Sequence, residues 1–232
     1  MDFSGLIYFI IPILYMFIHG IDFFSTYSRV AGFHLNKNSI GYSIQNATAA
    51  YTRLFNMAML PVIGYLIDKN ISTINFLFIS IASLFLAGTS VLIIYLNSLK
   101  SVSFFIRKIS NLVGLKNRLE YCSYPKYSIL LIDKKIFLMS IIIYTIHGIG
   151  VLVTFMLATV FSENKVMITQ ATGIINATAT LILTLKLDPL LSVKIENNDK
   201  YLEAHASVML ARVVSFFIFS PLILISTYMV IK

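Results

Sequence analysis

Residues 73 to 97 hold no charged side chain, and an apolar run of that length restricts this chain more than any motif does. A helix needs about 20 mainly apolar residues to cross roughly 30 Å of hydrocarbon. Segments 4–26, 40–67, 136–161, 166–187 and 206–231 reach that length as well. Membrane barrels instead show alternating segments of about 10 residues with turns between them, whereas these runs are unbroken. With 58% apolar and only 12% charged residues, the chain is too greasy for a water-soluble core. The sequence predicts an all-α integral membrane protein with six transmembrane helices in a single membrane domain, 1–232. That domain divides into a first three-helix half (1–97), a basic cytoplasmic connection (98–135) and a second three-helix half (136–232).

The opening residues Met-Asp-Phe-Ser lack the positive region of a cleavable signal, so the first helix is read as retained. The single cysteine, Cys122, allows no disulfide within the chain and no cysteine metal cluster. It is read as an inert thiol.

Lys and Arg set orientation, because loops rich in them stay cytoplasmic. Arg29, Lys37, Lys100, Arg107, Lys108, Lys116, Arg118, Lys126, Lys134, Lys135, Lys186, Lys194 and Lys200 follow the odd-numbered helices, thirteen in all, against Lys69, Lys165 and Lys232 on the other side. Both termini are therefore expected outside, and the connection inside. Most of the net charge of +8 then faces anionic lipid headgroups, and membrane lipids rather than nucleic acid account for the basic balance. Within the connection, Val102, Phe105, Ile109 and Leu112 recur at helical spacing, with Arg107, Lys108 and Asn111 opposite. This pattern predicts an amphipathic helix lying at the membrane surface.

Ile18-His19-Gly20-Ile21 returns as Ile146-His147-Gly148-Ile149, 128 residues later, and Asn46-Ala47-Thr48-Ala49 returns as Asn176-Ala177-Thr178-Ala179, 130 residues later. Three helices separate the copies, and an odd number inverts topology. The two echoes, in the same order, point to two inverted three-helix repeats with a central site between them, the layout of a transporter that alternates its access.

Charged and polar residues in the spans are the informative ones, since a charge at mid-bilayer costs at least about 2.5 to 3.5 kcal/mol on insertion scales. Arg53 stands at the middle of the second helix, Arg212 about a turn and a half into the sixth, and Asp22 near the inner end of the first, three residues after His19. Asn46, Ala49, Arg53 and Asn56 step by 3, 4 and 3, one stripe down a helix. Asn176, Thr180 and Thr184 make a similar stripe, with Gly173 and Ala177 spaced for close helix approach. His19 and His147 are either packing residues or a proton relay. A guanidinium stays charged and binds phosphate bidentately, so a cavity with Arg53 and Arg212 and few acids nearby suits an anionic phosphate or pyrophosphate head. A transferase with His19 and Asp22 as base and partner, a carrier of small soluble anions and a structural membrane subunit are the alternatives. The loops carry no Gly-rich phosphate loop and no paired metal-binding aspartates, so no cofactor, no metal and no ATP hydrolysis is expected.

The stretches "DFFSTYSRVAG" (22–32) and "YTRLFNMAMLPVIGYLID" (51–68), Asp188-Pro189, and "LARVV" around Arg212 resemble the Amj family of bacterial lipid II flippases. Asp22, Ser28, Arg29, Gly32, Arg53, Asn56, Pro61, Gly64, Asp68, Asp188, Pro189 and Arg212 occupy matching positions. The resemblance implies a multi-pass protein of the bacterial cytoplasmic (inner) membrane, a flippase rather than an enzyme. Its cargo would be a lipid-linked cell-wall precursor with an anionic pyrophosphate head, lipid II, moved from the inner to the outer leaflet. A flippase for another polyprenyl-linked glycan, or a membrane transferase acting on a lipid-linked substrate, is the alternative. The expected substrate-binding residues are Arg53, Arg212, Asp22, Arg29, Asn56, Asn46, Asn176 and Asp188.

Overall fold

A computed structural model describes residues 3–115, 132–197 and 200–232. Cys122, Lys116, Arg118 and Lys126, with most of the second half of the connection, lie outside the described residues. Within them every regular element is helical: α1 (Phe3–Ser25), α2 (Tyr27–His34), α3 (Asn38–Asp68), α4 (Thr73–Leu96), α5 (Ser98–Val113), α6 (Lys134–Val160), α7 (Lys165–Ile182), α8 (Asp188–Glu196), α9 (Tyr201–Val214) and α10 (Ser220–Ile231).

Five stretches among the described residues are long and apolar enough to cross a membrane: Ile7–His34, Thr73–Leu96, Lys134–Val160, Lys165–Glu196 and Tyr201–Ile231. Helix α3, expected as the second span, has 31 residues but is not one of the five, because Gln45, Asn46, Arg53 and Asn56 dilute its apolar side chains.

Two proline positions shape the last two spans. Pro189 and Pro221 each lack the N–H that the carbonyl four residues back would accept, and the ring crowds that carbonyl. The chain answers by widening just before each one, in π-helical turns at Leu183–Leu187 and Ser215–Phe219. Helix therefore continues from Lys165 to Glu196 and from Tyr201 to Ile231. The last predicted helix begins at 201 rather than 206, which places Arg212 about three turns into it instead of a turn and a half.

Each half uses its first helix as the hub. Helix α1 packs on α3 and α4, and α6 on α7, α9 and α10. A Cβ at Gly20 would lie 3.2 Å from Ser90 Oγ, and one at Gly148 would lie 3.1 Å from Ser220 Oγ, so the His-Gly step of each hub faces a serine on the third helix of its own half. The Asp133 N–H donates to Ser207 Oγ and Ser215 Oγ donates to the Ile141 carbonyl, contacts that advance in step along both segments, so α6 and the span begun by α9 are parallel. The Thr73 and Thr159 hydroxyls meet at 2.9 Å, joining the start of α4 to the end of α6, so those two helices are antiparallel.

The turn between α2 and α3 depends on two glycines. A Cβ on Gly41 would stand 2.5 Å from the Ser28 carbonyl, and one on Gly32 would stand 2.8 Å from the Lys37 carbonyl. Ser28 Oγ uses this closeness to donate to the Gly41 carbonyl at 2.7 Å. In α5 the expected amphipathic helix is present, with Val102, Phe105, Ile106 and Ile109 buried and Arg107, Lys108 and Asn111 exposed. Leu112 is not part of that face: it is 65% exposed, and Ile106 takes its place, because the buried stripe against α2 ends one turn earlier.

The periphery is apolar, with Phe9, Leu54, Met57, Phe78, Leu138, Ile174 and Leu185 exposed. Serines and arginines are buried inside, among them Ser28, Arg29, Ser83, Ser140 and Arg212. Large exposed apolar patches mark a surface covered by something other than water.

Candidate functional site

A cavity of about 590 Å³ lies between α1, α3, α6, α7 and α9. Every residue expected at the site lines it. Helix α3 contributes Asn46, Ala49, Arg53 and Asn56, the stripe read at steps of 3, 4 and 3. Asp22, His19 and Arg29 enter from the first span, His147 from α6, Asn176 from α7, Asp188 from the first turn of α8 and Arg212 from α9.

The three arginines differ in what holds them. Arg212 Nη2 donates to Asp22 Oδ2 at 2.5 Å, and its guanidinium carbon sits 3.8 Å from the centre of the Tyr144 ring. Arg29 Nη1 donates to Asp188 Oδ1 at 2.8 Å, and its guanidinium lies 4.7 Å from the Tyr42 ring centre. The expectation of few acids nearby is thus overturned for these two, since α1 and α8 each carry an aspartate to them. Arg53 is exposed toward the cavity, and among the described residues no carboxylate pairs with it. Three arginines face two aspartates, leaving one uncompensated positive charge.

Both ion pairs are poorly solvated, with the side chains of Arg29 and Arg212 8% and 9% exposed, yet Asp22 keeps 34% exposure. An ion pair formed away from water offsets its desolvation only with good geometry and further partners. Here the aromatic faces of Tyr144 and Tyr42 supply those partners.

His19 is packed by aromatic rings, Tyr15 at 4.4 Å and Phe216 at 4.7 Å between centroids. The Tyr15 hydroxyl donates to the Gly148 carbonyl, in the second His-Gly step. This bond ties the turn before the first Ile-His-Gly-Ile copy to the second copy. Asn176 reaches the cavity because Gly150 has no side chain: a Cβ there would stand 2.5 Å from Asn176 Oδ1. That oxygen and Gln45 Oε1 are buried and accept no hydrogen bond within the protein, so both remain available to a ligand or to water.

The rest of the stripe on the fifth predicted helix does not reach this cavity. Thr180 and Thr184 are exposed and return their hydroxyl protons to carbonyls four residues back. Nor do Gly173 and Ala177 mediate close packing. Both are exposed, and nothing lies within 4 Å of a Cβ built on Gly173. Close approach to α7 happens on the opposite partner, at Gly150.

One end of the cavity carries Arg29 and Asp188, and the lining stops at Tyr15, Asn56, Val151 and Asn176, about halfway along α1, α3, α6 and α7. Beyond that point the halves are tied together. Besides the Thr73 and Thr159 hydroxyls, Lys165 Nζ donates to the Ile67 carbonyl at 3.2 Å and to Asn70 Oδ1 at 3.3 Å. Among the described residues no three His, Cys, Asp or Glu side chains are grouped to hold a metal.

A family model described as "Amj: Alternate to MurJ" matches residues 71–225. This chain belongs to the Amj family. The curated protein named lipid II flippase Amj, from Bacillus subtilis (strain 168), is 30% identical over 207 residues, covering 77% of this chain and 76% of that protein. No solved structure matches the chain. Of the residues expected at the site, His147, Asn176, Asp188 and Arg212 fall inside the Amj match, and both ion pairs join a residue within it to one before it.

Sequence reading missed several members of the site in this Amj chain. Tyr15, Tyr144 and His205 line the cavity, and each carried a usable signal. Tyr15 is four residues before His19, Tyr144 three before His147, and His205 seven before Arg212, spacings that put each pair on one helical face.

Proposed function

We propose that this protein is a lipid II flippase, moving a polyprenyl-pyrophosphate-linked cell-wall precursor from the inner to the outer leaflet of the bacterial cytoplasmic membrane. The observation that carries this reading is Arg53, a cation at the middle of a 31-residue helix that faces a 590 Å³ cavity and that no carboxylate among the described residues pairs. Family membership and the name of the Bacillus subtilis relative supply the cargo.

In this reading α3 is the sixth span, its polar stripe turned to the cavity and its apolar side to lipid. The basic end, with Arg29, Lys37 and α5, is cytoplasmic, both termini are outside, and the cavity is in its inward-facing state. Two inverted halves, 1–97 and 136–232, are supported by the matching Gly20–Ser90 and Gly148–Ser220 contacts, whose serines are also 130 residues apart.

Transport then proceeds by exchange of partners. The pyrophosphate arrives past Arg29 and competes with Asp188 and Asp22 for the two paired guanidiniums, while Arg53 binds it without competition. Asn46, Asn56 and Asn176 donate amide hydrogens to its oxygens. The polyprenyl tail stays in lipid through a side opening between α3 and α7. Rocking of the halves breaks the Thr73–Thr159 and Lys165 links and exposes the head outside. The membrane potential favours outward movement of an anion by about 2.3 kcal/mol per charge at 100 mV. His19 and His147 give the same cavity two groups able to carry a proton. The chain acts as a transporter, with membrane lipids as surroundings and no covalent chemistry.

The test is complementation. A bacterium depleted of its resident lipid II flippase should survive when it makes this protein, with lipid II reaching the surface. Arg53→Ala at equal membrane abundance should abolish both. Failure of the well-expressed unmodified protein to rescue would refute lipid II as cargo and favour another polyprenyl-linked glycan.

A further inference from the structure

A second cavity, about 430 Å³, adjoins the first, and the transport scheme leaves it unused. The start of α3 frames it with Asn38, Ser39 and Tyr42. The π-helical turn and α8 close the other side with Thr184, Ser192 and Glu196. Arg29 and Asp188 line both cavities, so their ion pair is the wall between them.

Charge separates the two spaces. The central cavity has three arginines against two aspartates. In the outer one Arg29 is already held by Asp188, and Glu196 adds a carboxylate, so the balance is one negative charge. A phosphate has no reason to stay there. What the space offers instead is the partly exposed Tyr42 ring, one face of which Arg29 covers, with the Asn38 amide, the Glu196 carboxylate and the hydroxyls of Ser39, Thr184 and Ser192. Thr184 gives its proton to the Thr180 carbonyl, which leaves its oxygen as an acceptor. An aromatic face for ring C–H groups, beside mixed donors and acceptors for hydroxyls, is the chemistry that recognises an uncharged, hydroxyl-rich ring.

We propose that this outer cavity binds a sugar of the substrate headgroup, the residue bonded directly to the pyrophosphate, while the pyrophosphate itself occupies the central cavity beyond Arg29. The inference rests on the lipid-linked reading above and assigns it a second subsite. It also gives the pair Arg29–Asp188 a place at the phosphate–sugar bond.

The experiment uses the full-length protein in nanodiscs and three probes: polyprenyl pyrophosphate without sugar, lipid II, and free N-acetylglucosamine. Lipid II should bind more tightly than the sugarless lipid. Ser192→Leu, which fills the outer cavity, should weaken lipid II by about tenfold, to the level of the sugarless lipid, and leave the latter unchanged. Glu196→Gln should weaken lipid II by about threefold with the same selectivity. The retained affinity for the sugarless probe reports that each variant is folded. Equal affinity of the unmodified protein for the two lipids, or equal weakening of both by either variant, would overturn the sugar subsite and leave the pyrophosphate site standing. Binding of neither lipid would overturn the flippase reading and this inference with it. Binding of free N-acetylglucosamine in place of the lipids would mark the cavity as a site for soluble sugar and refute the headgroup assignment.

Discussion

Asp22 on α1 and Arg212 on α9 meet at 2.5 Å, each supplied by a different half of the chain. Arg29 and Asp188 repeat the arrangement with the signs exchanged: one half lends an acid and a base, and the other returns a base and an acid. The seam between the halves is thus fastened by charges that also face the cavity. A ligand that draws on those arginines loosens the fastening.

Asp22→Asn should destabilise the protein strongly, because it leaves the Arg212 guanidinium in a poorly solvated place with no counter-charge. Removing one partner of a fully buried pair costs about 3 to 5 kcal/mol, and the cost here is smaller because Asp22 is 34% exposed. A clear fall in the unfolding temperature in detergent is expected, with partial recovery in the exchanged double variant Asp22→Arg, Arg212→Asp.

Arg53→Ala should do the opposite, losing transport with a stability change within about 0.5 kcal/mol, as for exposed side chains generally. Arg53→Lys should retain part of the activity, because an ammonium keeps the charge but not the bidentate fork. Transport and thermal unfolding measured on the same preparations separate the two effects. A large loss of stability in Arg53→Ala would show that the residue holds the fold together.

Glycines divide into two classes that one series of alanine substitutions can sort. Gly41→Ala should disrupt the α2–α3 turn, since the new Cβ meets the Ser28 carbonyl at 2.5 Å, and Gly150→Ala should displace Asn176 from the cavity. Gly64→Ala and Gly173→Ala meet nothing within 4 Å and should be neutral or stabilising, because alanine favours helix by about 1 kcal/mol. Expression level and unfolding temperature are the readouts.

Thr73→Cys with Thr159→Cys, in a Cys122→Ser background, should form a disulfide between the start of α4 and the end of α6, where the hydroxyls now stand 2.9 Å apart. The oxidised protein should be unable to open at that end and should lose transport, and reductant should restore it. Full activity in the oxidised form would mean that this end does not open during transport.

Five of the expected spans and the polar stripe of α3 were legible because their signals are local: a long apolar run sets a helix, and steps of 3 and 4 set a face. The same logic placed His19 and Asp22 on one face of the first helix. What was not legible depends on partners far away. That Arg212 is held by Asp22 rather than free is a contact over 190 residues, and no spacing within α9 announces it. The Gly173 and Ala177 pattern misled for the related reason that a small-residue spacing permits close packing without creating a neighbour. The backward extension of the last span to Tyr201 was hidden by Glu203, His205 and Ser207, polar residues that read as loop until a helix on the other side is known to receive them.

The long reach of that ion pair sets a clock during synthesis. At about 5 to 20 residues per second, Asp22 leaves the ribosome roughly 10 to 40 s before Arg212, which follows it by 190 positions. For most of that interval the first part of the chain carries an acid and a base whose partners, Arg212 and Asp188, do not yet exist. The newborn half must therefore be sheltered, by the insertion machinery or by a wet and loosely packed bundle, until the last helix arrives and the molecule locks.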